Sequence, residues 1–466
     1  MATLATENIQ KADLPKTWQG ETRILLSLGV PMALTQLIAF AVYTIDVLMI
    51  GRISPEDLAA ASLGTVIYFA LWMVGSGPIM AVSPLVSQAL GANQNDTRDV
   101  RRSVRMALWA IFLMFPVALI ALAFTEPVAL ALGQDPGVSA KAGDYVFALS
   151  FGWPFALATM ALRNFLAALE KTKVPLVLVA LTTAINAGLN YLLIFGTFGF
   201  PRLELVGAGI ASSLSYTTGF FLFVVYILID KQAKKFELFD RFWVSDWQRL
   251  KEVVALGWPI SLTTIFEGML FNTAVIMMGL IGIMEVAAYQ ISINVVALAF
   301  MLPWGLSMAG AVRIGLAKGA ENIAATQRAA AVTLVAATLS VVALALVIAV
   351  FPVNVAAFYL DLNDPANSEV IRLVLLFLPI AAAFMIFDAG QVAANQLLRG
   401  LKDVRWPMYL TGVSYWIIGF PVALYLGLGT TFGAVGIWYG LTAGLIAATL
   451  FLGARLWWIA WRNAGH

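Results

Sequence analysis

The chain contains no cysteine, and its single histidine, His466, is the last residue. Disulfides, thiolate metal sites and cysteine redox chemistry are thereby excluded, as are buried histidine proton relays. Any proton carrier inside the protein has to be a carboxylate. No GxxxxGK[ST] run occurs, so nothing resembles a phosphate-cradling ATPase loop, and transport would have to draw on a gradient. Charge is scarce as well: 12% of residues are charged, about half the share usual in soluble proteins. The net charge of +2 offers no basis for nucleic-acid binding. What the 466 residues do have is apolar bulk, 61% hydrophobic with a mean hydropathy of +0.88. That is the composition of a polytopic, all-α integral membrane protein.

A window of about 19 residues predicts twelve spans. Their approximate limits are 24–50, 58–84, 103–125, 143–169, 174–197 and 206–230, then 252–281, 286–312, 325–350, 370–399, 404–428 and 434–460. With both termini on the inner side, 23 Lys and Arg fall in inner segments and four in outer ones, which the positive-inside rule favours. Residues 1–23 are polar, lack the apolar core of a signal peptide, and read as a cytoplasmic lead-in. Residues 231–251 form the longest charged connector, mixing cations with aromatics, and divide the chain into lobes at 24–230 and 252–460. That connector suits either a segment on the inner membrane surface or a plain linker.

The two lobes are copies of one plan. A shift of 228 residues lays Leu28, Gly29, Pro31, Leu34 and Thr35 on Leu256, Gly257, Pro259, Leu262 and Thr263. The same register carries Gly77 to Gly305 and Gly91 to Gly319. A shift of 232 matches NFLAALEKTKVP (164–175) with QLLRGLKDVRWP (396–407). Six spans per copy is an even number, so both copies insert with the same topology. Pro31, Pro154, Pro259, Pro379 and Pro421 lie within spans, where each removes a backbone hydrogen bond. Small-residue runs such as GAGIASS (207–213) read as close helix packing.

Three acids lie well inside spans: Asp46, Glu267 and Asp388. An Asp at a helix centre costs about 2.5–3.5 kcal/mol on insertion, so each asks for a role. Gln391 and Asn395 follow Asp388 at i+3 and i+7 on one helical face, which cannot face lipid. No Lys or Arg is expected at comparable depth, and carboxylates without basic companions attract cations. The acids are not symmetry copies, since Ala274, Ala39 and Ala156 stand opposite Asp46, Glu267 and Asp388. Asn186 and Asn190, an i, i+4 pair, either hydrogen-bond Asp46 or complete an oxygen cage for Na⁺. Gln36, Tyr43, Tyr289, Gln290 and Asn294 are further polar candidates, the tyrosines through their ring faces.

The stretches LGVP and YTIDVLMIGR in span one, NAGLNYLLIFG in span five and TIFEGMLFN in span seven carry a resemblance, together with AAYQISIN in span eight and FDAGQVAANQLLRGLKD in span ten. Residues 20–460 resemble multidrug and toxic compound extrusion (MATE) transporters of the NorM type. The resemblance implies a monomeric bacterial inner-membrane antiporter with two six-helix lobes, exporting organic cations in exchange for Na⁺ or H⁺ and needing no cofactor. It implies coupling-ion sites at Asp46, Glu267, Asp388, Asn186 and Asn190, with Na⁺ expected at Glu267, Asp388, Asn186 and Asn190. Substrate contacts are expected at Asp46, Tyr43, Gln36, Tyr289, Asn294 and Gln391. Two departures stand out: Phe384 occupies a place where some Na⁺-coupled members carry Tyr, and Tyr289 replaces a common His. The alternative reading is a flippase of the same broad fold moving a lipid-linked or amphipathic substrate. An enzyme is disfavoured, because no nucleophile–base arrangement or paired catalytic acids are visible.

Overall fold

The computed structural model describes residues 11–462, so the first ten residues of the expected lead-in, and His466, lie outside the described residues. The helices in chain order are α1 (Trp18–Ile50), α2 (Pro55–Met80), α3 (Val82–Ala92), α4 (Thr97–Ala123), α5 (Thr125–Ala131), α6 (Pro136–Ser150), α7 (Trp153–Ala168), α8 (Lys173–Phe195) and α9 (Glu204–Ile229). They continue as α10 (Trp247–Ile281), α11 (Ile283–Gly319), α12 (Ile323–Val350), α13 (Pro352–Ala357), α14 (Ser368–Gly400), α15 (Arg405–Gly412), α16 (Phe420–Leu428) and α17 (Ala434–Trp457). Among the described residues, eleven helical stretches are long and apolar enough to cross a membrane. The bent pair α6 and α7, 45° apart, makes the twelfth.

Local sequence explains the boundaries. Ser54 caps α2 by accepting from the Asp57 amide at 3.0 Å, with Pro55 pre-set for the first turn. Asp96 and Asn322 cap α4 and α12 in the same way. Gly196, with φ +69°, ends α8 in the left-handed conformation that glycine adopts without strain. The break in span four falls at Phe151 and Gly152, just before Pro154, and the Gly152 amide is satisfied by Ser213 Oγ at 3.0 Å. In span eleven α15 and α16 are joined by a π-helical turn, Val413–Gly419, immediately before Pro421. Proline supplies no amide to the preceding turn, so the backbone widens there.

The chain forms two compact units. Unit one comprises Met1–Ala33, Gly91–Asn93 and Leu262–His466; unit two comprises Leu34–Leu90 and Gln94–Ser261. The dividing points in α1 and α10, after Ala33 and after Ser261, are 228 residues apart and so occupy equivalent places in the repeat. Matching contacts lie behind this. In unit one Gly305 of α11 meets Ala33, where a Cβ would come 2.3 Å from the Ala33 amide nitrogen. In unit two its counterpart, Gly77 of α2, meets the Gly257 carbonyl and Ser261, each at 2.2 Å from a built Cβ. Only glycine allows backbones this close, which is how helices associate where lipid offers no hydrophobic drive.

Unit one packs around Phe377, Phe384, Tyr289 and Trp438. A buried ion pair also ties α1 to α11: Arg313 Nε and Nη2 donate to the two Glu21 oxygens at 2.8 and 3.0 Å. Unit two packs around Trp153, Phe165 and Phe223. The charged connector after α9 folds onto unit two. Arg101 pairs with Glu237 at 2.9 Å, Lys171 with Asp230 at 2.7 Å, and Trp109 donates to the Phe242 carbonyl. Outward faces stay apolar, as at Val117, Ile120, Leu346 and Leu450, each more than 60% exposed.

Candidate functional sites

In unit two α1, α8 and α9 bring four polar side chains into one network. Asn190 Nδ2 donates to Asp46 Oδ1 at 2.5 Å and to Asn186 Oδ1 at 3.2 Å. Ser212 Oγ donates to Asp46 Oδ2 at 3.4 Å and accepts from Asn186 Nδ2 at 3.3 Å. Asn190 therefore presents an N–H group to Asp46 directly, while that of Asn186 goes to Ser212. Both asparagines are buried and Asp46 is half-buried. Ser212 belongs to GAGIASS, whose small residues read as packing, and its polar role leaves no periodic trace. Tyr43 is half exposed on α1, and Gln36 accepts a hydrogen bond from Arg163.

In unit one α14 carries Asp388, Gln391 and Asn395 on one buried face, exposed by 5%, 0% and 3%. Asp388 Oδ1, both polar atoms of Gln391 and Asn395 Oδ1 have no hydrogen-bond partner among the described residues. Tyr415, on the π-helical turn, is fully buried, and its hydroxyl is likewise unpartnered. Its ring lies within electrostatic range of Glu267, Asp388 and Arg399, and the two acids are within range of each other. Asp388, Gln391, Asn395 and Tyr415 thus place unpartnered polar atoms in the interior of unit one. Phe384, one turn before Asp388, packs edge-on against Trp438 and Phe271 and adds no oxygen.

One expectation needs correction. The acids are not without basic companions: Arg399 interacts electrostatically with Glu267, although its Cα sits in the last turn of α14. The long guanidinium stem reaches inward, which spacing along the helix does not reveal. A second guanidinium, Arg163, sits inside unit two. Of the four residues expected to hold Na⁺, Glu267 and Asp388 belong to unit one and Asn186 and Asn190 to unit two. Tyr289 does not offer a free ring face: it is 1% exposed and packed 5.3 Å from Trp438. Asn294 accepts from the Tyr359 hydroxyl at 2.9 Å, a contact to the segment beyond α13 rather than to the acids. Gln290 is exposed.

The MatE family profile matches residues 31–192 and 259–425. The chain belongs to the MatE family. The two matched segments open on Pro31 and Pro259, the equivalent prolines of the repeat. A probable multidrug resistance protein NorM from Rhizobium meliloti is 40% identical over 97% of this chain and 96% of its own. Another of that name, from Mesorhizobium japonicum, is 38% identical over 93% of each chain. The crystal structure of the eukaryotic MATE transporter AtDTX14 superposes with a TM-score of 0.84 at 20% identity, over 96% of this chain and 98% of that one. An outward-facing MATE family transporter superposes with the same TM-score at 17% identity, over 96% and 98%. As a MatE protein the chain is a multi-pass membrane transporter and not an enzyme, and its all-helical, twelve-span fold is that of MATE transporters.

Proposed function

We propose that the chain is a multidrug efflux antiporter, exporting amphipathic organic cations against inward movement of Na⁺ or H⁺ by alternating access. In this reading it works as a monomer in a bacterial inner membrane, with both termini cytoplasmic. The names of the relatives support the drug substrates, and the excess of positive charge in inner segments supports the orientation.

One observation carries the exchange mechanism: Asp388 is buried with a carboxylate oxygen that no group among the described residues satisfies. An uncompensated carboxylate in such a place costs several kcal/mol, so it takes up whichever cation is available. A proton on Asp388, or Na⁺ among the oxygens of Asp388, Gln391, Asn395 and Tyr415, neutralises it equally well. Either ion therefore competes with an organic cation for the same charge. Arg399 acts electrostatically on Glu267 and not on Asp388, which singles out Asp388 as the exchangeable charge of unit one. In unit two Asp46, already hydrogen-bonded by Asn190 and Ser212, offers a second carboxylate to a substrate ammonium.

The test is efflux from proteoliposomes under separately imposed Na⁺ and pH gradients. Ethidium export that follows one gradient and is abolished in D388N supports the proposal. Undiminished export by D388N/E267Q removes it.

A further inference from the structure

The polar stripe of α14 has a counterpart in unit two. At the 232-residue shift, Asp388, Gln391 and Asn395 fall on Ala156, Thr159 and Arg163 of α7. From Leu157 to Ala168 every residue of α7 is buried except Thr159, Met160 and Arg163, which are half-buried. A lipid-facing stripe would be far more exposed, as Val117 and Ile120 of α4 show at 69% and 61%. The half-buried line on α7 is therefore less exposed than a lipid-facing stripe, and its charge is positive where that of α14 is negative.

Arg163 forms no ion pair with any carboxylate among the described residues. Its one hydrogen bond among the described residues is Nη2 donating to Gln36 Oε1 on α1. One turn away, Thr159 Oγ1 is unpartnered. A guanidinium inside a membrane protein without a counter-charge is as costly as an unmatched carboxylate, and its fork is shaped for two oxyanion oxygens. Gln36 and Asp46 are ten residues apart on α1, about 15 Å along the helix, so one unit offers a cationic and an anionic group at separate places.

We propose that Arg163, steadied by Gln36 and flanked by Thr159, is an anion-recognition subsite that takes the carboxylate of zwitterionic amphipaths. The proposal rests on the export reading and deepens it by naming the residue that reads a substrate's acid group. Gln36 is then a positioning residue for the guanidinium. A lipid phosphate has the same oxyanion chemistry, so the test separates the two sources.

The experiment compares binding of rhodamine 123, a cationic ester, with rhodamine 110, its zwitterionic free acid. Both are measured by fluorescence anisotropy on the purified full-length protein in a neutral detergent, where no coupling ion gradient is involved. We expect R163Q to weaken rhodamine 110 about 10- to 100-fold, the span of a charged hydrogen bond, and to leave rhodamine 123 within about twofold. R163K, which keeps the charge but not the fork, should fall between. If R163Q melts too low to assay, R163K and Q36A carry the comparison, both weakening rhodamine 110 selectively. Equal losses for both dyes would make Arg163 a structural clamp between α1 and α7, and no loss for either would remove the subsite. Displacement of rhodamine 110 from the parent by phosphatidylglycerol, but not phosphatidylcholine, would assign the guanidinium to lipid and overturn the proposal. Failure of the parent to bind either dye would sink the export reading and this subsite with it.

Discussion

The Glu21–Arg313 pair allows a quantitative test of how unit one is held together. Both side chains are almost fully enclosed, 2% and 3% exposed, and the contact is bidentate at 2.8 and 3.0 Å. Removing one member of such a pair leaves the other charge buried and unmatched, which costs about 3–5 kcal/mol. Replacing both by apolar residues of similar volume is about neutral, because the desolvation cost disappears together with the attraction. Unit one spans about 240 residues, a size at which each kcal/mol moves the melting temperature by about 2–4 °C. E21Q and R313M should each melt about 6–20 °C below the parent, while E21L/R313M should return to within a few degrees of it. The assay is thermal unfolding of purified protein followed by intrinsic fluorescence from its 14 tryptophans. The double variant closes a mutant cycle whose coupling should exceed about 2 kcal/mol. Single variants that melt with the parent, or a double variant as unstable as both singles combined, would refute the reasoning.

Other consequences can be checked with the same protein. G77A and G305A each force a Cβ to within 2.3 Å of backbone, so each should lower stability by about 1–3 kcal/mol, whereas G188A, with open space around it, should not. N190A removes a charge-assisted hydrogen bond to Asp46 and should cost about 1.5–3 kcal/mol in melting experiments, an effect that vanishes in the D46N background. Burial alone would raise the Asp230 carboxyl, but Lys171, the Ala233 amide and Tyr226 together hold it down at about 2. Its stabilising contribution is therefore complete above the ordinary Asp value and is lost as pH falls from about 4 through about 2. D230N should be less stable than the parent at neutral pH and should lose that part of the acid sensitivity, as pH-dependent melting curves would show.

Much of the architecture was legible because hydropathy is a local property. The twelve spans, the 228-residue repeat and the intramembrane acids all come from residues near one another in the chain, and the bent fourth span follows from Phe-Gly-Trp-Pro at 151–154. The helices run several residues beyond the apolar windows, since polar turns continue a helix that hydropathy no longer detects. What stayed hidden depends on pairings across long separations. Glu21 and Arg313 are 292 residues apart, and nothing in a polar lead-in marks Glu21 as buried. Ser212 was masked by the small residues around it. The reach of Arg399 toward Glu267 depends on a flexible side chain, so counting charges by Cα position placed it at the surface. The π-helical turn that carries Tyr415 was invisible because the sequence shows only Pro421.

The central claim is that Asp388 is the exchangeable charge of the transporter. Reconstituted D388N should still bind ethidium weakly in detergent yet export none under either a Na⁺ or a pH gradient, while the parent exports under one of them. Gradient-driven export by D388N at the parent's rate would contradict the account.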